Sequence, residues 1–399
     1  MGKVKKIYTR IALKLTKLKG KKTKKVWING TIHEFSDELG SCLGSVINKE
    51  SKLNSKLVVE LQAGEEYRIF ERILTPNVIN SFFSLSGNYA KITNHYKPPT
   101  DSSMSQDEID EGNINNYAID MALNPDLATT AQADKRIVIE NLFINGNGSG
   151  IRCQGSYGSK IKNVDIYNME NGIDFQFCLQ SEIKGCEIHY RNKGILVGII
   201  GTGYNSTQSN LTKIVDNRAF ALRPHSSSHR SPQTGLEISD SNLVSVDGFV
   251  SEGWTTERGI HLKNTNTTVT SLDIKRFHAE NLTYNDSVIV SDGRWLPLLL
   301  LDEVYYAPNK NNRANFFRAD FTGTSSRVKI TNTYAMGYWK FLMNRHANNR
   351  NISCGFDFYG LSKQLPNNLA FREMFSDLEP GLGGKKLPEK LYVNGSLLN

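Results

Sequence analysis

The sequence predicts an all-β chain wound as a parallel solenoid of about 22 residues per coil. Three observations carry this. The stretches "NGSGI", "MENGI" and "RNKGI" end on Ile151, Ile173 and Ile195, so a Gly-Ile step recurs at intervals of 22 residues. Whole columns recur with it: Ile139, Ile161 and Ile183; Leu142, Val164 and Cys186; Ile144, Ile166 and Ile188. Within each unit apolar and polar residues alternate, as in "IDFQF" and "ILVGI", which is a strand period and excludes a helical repeat. One such coil cannot bury its apolar face alone, so coils stack about 4.8 Å apart over a shared core. Gly150, Gly172 and Gly194 are expected at corners, where the backbone turns with positive φ.

The elements follow in order. Residues 1–34 form a basic arm. Between Lys3 and Lys25 lie eleven Lys/Arg and no acid, so a net charge of +8 for the chain leaves about −3 for the remainder. In the arm Ile7, Ile11, Leu15 and Leu18 fall on one helical face, and Lys6, Arg10, Lys14 and Lys17 on another. Such a segment suits nucleic acid, an anionic membrane or an acidic protein socket. Residues 35–56 read as a helix and a link, with Ser36 as N-cap and Leu39 and Leu43 one turn apart. A helix here covers the open end of the solenoid. The solenoid itself spans 57–281, with insertions at 93–135 ("KPPTDSSMSQDEIDEGNINN") and 198–234 ("RPHSSSHRSPQTG"), the second holding one irregular coil and a loop. "GLEI" and "GIHL" restart the strand, and Leu243/Val246 and Val269/Leu272 repeat the spacing of Ile161/Val164. Residues 282–399 carry further strand-like runs such as "LLLLDEVYY" and "SRVKITNTY", and no fold is assigned to 338–399.

Much is excluded. The longest apolar run, "WLPLLLL", is too short to span a membrane. The five cysteines have no metal-ligand spacing and read as free thiols, several of them buried. There is no P-loop, dinucleotide fingerprint or nucleophile elbow, so no cofactor and no metal is expected, and no specific nucleic-acid contact.

The order helix, "VVELQAGEEYRI", further strand pairs and then 22-residue coils is similar to the pectin-lyase-like right-handed β-helix proteins. It looks most like the bacteriophage tailspikes among them, where a helix precedes a strand-(P/Q)AG-x-Y-x-I turn. Here that turn is Leu61 to Ile69, with one extra residue before Tyr67. The resemblance covers roughly residues 35–281 and implies the fold; sites on such scaffolds are placed individually.

Stacking aligns outward residues too. Asp165 and Glu187 fall one coil apart, and Asp247 and Asp273 are expected to continue that column beyond Val215, with Phe143 before it. Carboxylates about 5 Å apart cannot both ionise freely, which suits a general acid beside a nucleophile, so Asp165 and Glu187 are the candidate catalytic pair. A calcium site is the alternative, and a solvated face paired with Lys162 and Lys184 is the plain one. Tyr167, His189, Tyr190 and Trp254 are candidate carbohydrate contacts.

Three functions compete. The first is a virion appendage of tailspike type that binds host-surface polysaccharide, with cleavage left open. The second is a non-enzymatic virion decoration protein. The third, a free polysaccharide lyase or glycoside hydrolase, ranks last because it needs export and no secretory signal is seen. The resemblance implies a homotrimer on the virion. Outward apolar residues such as Phe143 and Leu196 suit packed faces, and Lys6, Arg10, Lys14 and Lys17 would attach the arm to other virion proteins.

Overall fold

At one bend that recurs in every regular coil, a residue in the left-handed region turns the chain. Asn141 (φ 54°), Asn163 (φ 50°), Gly185 (φ 65°), Asp216 (φ 51°), Gly248 (φ 73°) and Arg276 (φ 49°) hold the same place in successive coils. Asn, Asp and Gly tolerate this conformation best. Asn163 Nδ2 donates to Asn141 Oδ1 at 3.2 Å, so the bend is tied from coil to coil.

A computed structural model of the chain shows these bends joining three parallel sheets into a right-handed β-helix. It describes residues 23–76, 78, 80–121, 135–200, 208–223, 233–253, 257–264, 271–280, 287–293, 298–307, 315–321, 325–332 and 334–335, with short strands beyond, the last Ser396–Leu397. Sheet A precedes the bend and sheet B follows it. Sheet C closes the coil. The inward column of sheet A runs Val59, Leu85, Ile139, Ile161, Ile183, Ile214, Val246, Ile274, Leu301 and Ile330. Sheet C contributes Ile73, Ile119, Ile151, Ile173, Ile195, Leu236, Ile260, Ile289 and Phe317, all completely buried. Most rungs carry a β-branched residue that packs on its like above and below, which the pleat favours.

The Gly-Ile glycines have another reason than the one expected. Gly150, Gly172 and Gly194 are absent from the positive-φ positions. A Cβ at Gly150 would instead lie 2.5 Å from the Gly172 carbonyl oxygen and 2.8 Å from Ile166 Cδ1. Close approach of stacked backbones, not a left-handed turn, demands glycine there.

The N-terminal end is closed by two devices. Strands Lys24–Ile28 and Thr31–Phe35 form an antiparallel hairpin, and the first also pairs antiparallel with Lys56–Leu61. Helix α1 (Leu43–Leu53) lies over strand Ile73–Leu74; Asn48 Oδ1 accepts from Leu74 N at 2.7 Å, and its Nδ2 donates to Arg72 O at 2.8 Å. The helix starts later than expected. Cys42, not Ser36, is its N-cap, and Leu39 is exposed. Within 93–135 the chain is not all loop: α2 (Gln106–Ile114), capped by Ser105 with Glu108, leads into strand Tyr117–Met121 of sheet C.

The acidic column also needs correcting. Glu187 is followed by Arg218, Val250 and His278, whereas Asp247 and Asp273 sit in two separate columns of sheet A. The i, i+3 spacing of Ile161/Val164 belongs to Val246 and Phe249, not Leu243 and Val246; Leu243 has φ 51° and is 44% exposed. Both pairs fit the spacing, and the choice slips the register by three. Lys162 likewise lies beyond the bend from Asp165 and pairs with Glu182 at 2.9 Å. Four cysteines, Cys42, Cys153, Cys178 and Cys186, are buried free thiols, as expected. Among the described residues no helix is long and apolar enough to cross a membrane.

Candidate functional site

Sheet B strands are short, and each offers two outward positions. The first positions, from coil to coil, are Phe143, Asp165, Glu187, Arg218, Val250, His278 and Tyr305. The second are Asn145, Tyr167, His189, Phe220, Glu252 and Glu280. Four of the expected site residues are therefore neighbours. His189 Nε2 lies 2.9 Å from Glu187 Oε1, and the Tyr167 hydroxyl donates to the same oxygen at 3.3 Å. Asp165 and Glu187 are directly paired across adjacent strands. Burial, then the Glu187 charge, raises the Asp165 carboxyl above its usual range. Burial and the same glutamate push Tyr167 up to about 12.

The second column is a ladder of rings. The Tyr167 and His189 centroids are 4.6 Å apart, and those of His189 and Phe220 are 4.9 Å apart. Phe220 went unnoticed because it lies in the irregular coil, where the 22-residue count fails. Tyr190 does not join the ladder. The pleat places Ile188 inside, His189 outside and Tyr190 inside, and Tyr190 is fully buried. Trp254, and Lys6, Arg10, Lys14 and Lys17 of the arm, lie outside the described residues.

Sheet C carries a second polar assembly that the sequence reading missed. Its members follow the Gly-Ile steps directly: Arg152, Asp174, Leu196, Glu237 and His261 form one outward column. Arg152 grips Asp120 with two hydrogen bonds of 2.8 Å, and Arg72 adds a third of 2.9 Å. The buried Tyr117 hydroxyl donates to Asp174 Oδ2 at 2.9 Å. Two coils on, Glu237 accepts from Lys193 at 2.8 Å and meets His261 Nδ1 at 3.2 Å, while His261 Nε2 lies 2.9 Å from Asp292.

The electrostatics of this column diverge along its length. Burial lifts Asp174 to about 6, against which Tyr117 and Arg152 pull only in part. At Glu237 burial is outweighed by the His261 hydrogen bond and the Lys193 charge, which hold it at about 2. Burial also opposes a charged His261, but Asp292 and Glu237 raise its pKa. Asp174, Glu237 and His261 are each less than a tenth exposed, so the assembly serves first as a polar staple between coils. The sheet B face is the more open one. A glycan ring can stack on its ladder while its hydroxyls meet Asp165, Glu187 and Arg218.

No family model matches the sequence, and no curated protein matches it. Among solved structures it is similar to PfbA, a surface adhesin of Streptococcus pneumoniae, at 9% identity and a TM-score of 0.33, over 80% of this chain and 87% of that one. It is also similar to DFA-IIIase from Arthrobacter chlorophenolicus A6 in complex with GF2, at 9% identity and a TM-score of 0.29, over 73% and 81% of the two chains. The fold assignment rests on the strand register, not on these likenesses.

Proposed function

We propose that this protein is a virion appendage of tailspike type that binds a host-surface polysaccharide along the outer face of sheet B and cleaves it there. The observation that supports the binding reading is the Tyr167–His189–Phe220 ladder beside Asp165, Glu187 and Arg218, because sugars take an apolar ring face and polar edges together. In cleavage Asp165, its pKa raised, protonates the leaving glycosidic oxygen, and Glu187, held by His189 and Tyr167, attacks the anomeric carbon. Strand spacing of about 4.8 Å puts the pair near the separation of about 5–5.5 Å used by retaining enzymes. The arm of residues 1–22 supplies attachment to other virion proteins.

The test is incubation with capsular and O-antigen polysaccharides, read by retention and by new reducing ends. Phe220→Ala should weaken retention about three- to tenfold, the worth of one ring contact. Glu187→Gln should keep retention and lower turnover about 100-fold or more. Retention unchanged by Phe220→Ala would remove the binding face. Turnover within twofold of wild type for both Asp165→Asn and Glu187→Gln would remove the catalytic pair.

A further inference from the structure

Higher on sheet B, Glu252 and Glu280 stand directly opposite each other on adjacent parallel strands, and His278 shares their outward face two residues before Glu280. Inward between them are Ser251 and Ala279, both fully buried, so the pleat fixes the other three outside. One ligand atom from each of the three lies within 4.8 Å of the others, and His278 Nε2 is 3.1 Å from Glu280 Oε1. The imidazole is held in place by stacking on Tyr305, with ring centroids 4.5 Å apart.

Two like charges directly opposite across a strand pair repel. The register sets the neighbours of the three groups along the sheet. Phe220 precedes Glu252 in its column and Ala307 follows Glu280, while Val250 and Tyr305 flank His278. The group set between the two carboxylates is an imidazole, which in neutral form is a metal ligand.

We propose that Glu252, His278 and Glu280 form a binding site for a first-row divalent cation of the Zn²⁺ type. One nitrogen and two carboxylate oxygens match zinc and disfavour Ca²⁺, which takes oxygen alone. Three protein ligands on a flat outer face leave the remaining coordination position open to solvent or to a ligand oxygen. Sequence spacing hides the site, because its ligands come from two coils and are 26 and 28 residues apart. The inference is independent of glycan binding.

The experiment is calorimetric titration of EDTA-treated full-length protein with ZnCl₂, with CaCl₂ and MnCl₂ as separate arms, and melting curves with and without zinc. One Zn²⁺ per chain should bind, raise the melting temperature, and be undisturbed by equimolar Ca²⁺. His278→Ala and Glu280→Gln should each weaken zinc binding about tenfold or more. Glu280→Gln removes a charge from an outward position, so it keeps the test valid if His278→Ala does not fold. Absence of saturable zinc uptake by the wild type would overturn the proposal. So would uptake that neither variant alters, which would place zinc elsewhere.

Discussion

A methyl group on Gly194 would stand 2.5 Å from the carbonyl oxygen of Gly235, the residue stacked on it in the next coil. The same methyl would lie 2.9 Å from Ala219 Cβ and 3.3 Å from Tyr190 Cδ1, so it meets backbone on one side and core on the other. Gly194→Ala should therefore destabilise the protein by about 2 kcal/mol or more, as overpacking does. Gly158 is the control. It has φ 67°, and its Cβ would meet only Arg136 Nε at an ordinary contact distance of 4.0 Å, so Gly158→Ala should cost only the left-handed penalty of about 1 kcal/mol. Urea melts that rank the two variants the other way would show that backbone conformation, not stacking, selects these glycines.

Stability should peak in mild acid. Asp174 is raised from 3.8 to about 6, so its contribution is full below 3.8 and is lost as pH rises through about 6. His261 is raised above 6.5 and acts in the same direction: its contribution is present below 6.5 and fades as pH rises through the folded value. Glu237 is lowered from 4.5 to about 2, so its contribution is present above 4.5 and is lost as pH falls towards 2. Above about 4.5 Glu237 contributes in full and His261 still does, while the Asp174 contribution, already falling above 3.8, is the first to go as pH rises to about 6. Melting temperatures should fall by roughly a few degrees from pH 4.5 to pH 8, and Asp174→Asn, which stays neutral, should flatten the part of that limb below about pH 6. A melting temperature that rises over this range in the wild type would contradict the assignment.

The detachable arm should end before Thr23. The Tyr67 hydroxyl donates to Lys25 O at 2.8 Å, Lys24 pairs with Glu65, and Val26 is fully buried against the first coil. Deleting residues 1–22 should leave the melting temperature within about 2 °C of wild type while abolishing incorporation into particles. Extending the deletion through Phe35 removes the hairpin that covers the Lys56–Leu61 edge and should cause aggregation. A 1–22 deletion that still enters particles would separate the arm from attachment.

The outward apolar residues bear on assembly. Phe143 and Leu196 are half-buried on the outer faces of sheets B and C, at places where their columns otherwise carry Lys91, Asp165, Asp174 and Glu237. The expected outcome is a homotrimer by mass photometry at micromolar concentration, and dissociation by Phe143→Glu with an unchanged circular dichroism spectrum. A wild-type monomer at that concentration would end the trimer reading.

The sequence by itself determined the pleat, the period and the fold class. It also determined the Asp165–Glu187 pairing, because equal coil lengths make covalent spacing a measure of stacking. Successive members of the sheet A column from Ile139 to Ile161 to Ile183 are 22 residues apart, and there every expected neighbour is found. The next steps, to Ile214, Val246, Ile274 and Leu301, span 31, 32, 28 and 27 residues. An insertion of any length leaves a coil and returns to the same rung, so residue counting loses the register while hydrogen bonding keeps it. Only the tertiary structure could therefore bring Phe220 onto the ring ladder, set Glu252 beside His278, and move Asp247 and Asp273 out of the acidic column. Orientation divides in the same way. Alternation alone turns Tyr190 inward, whereas the burial of Asp174 and Glu237, outward residues by the same alternation, is decided by the fold; burial raises both carboxyls, and only at Glu237 do His261 and Lys193 outweigh it.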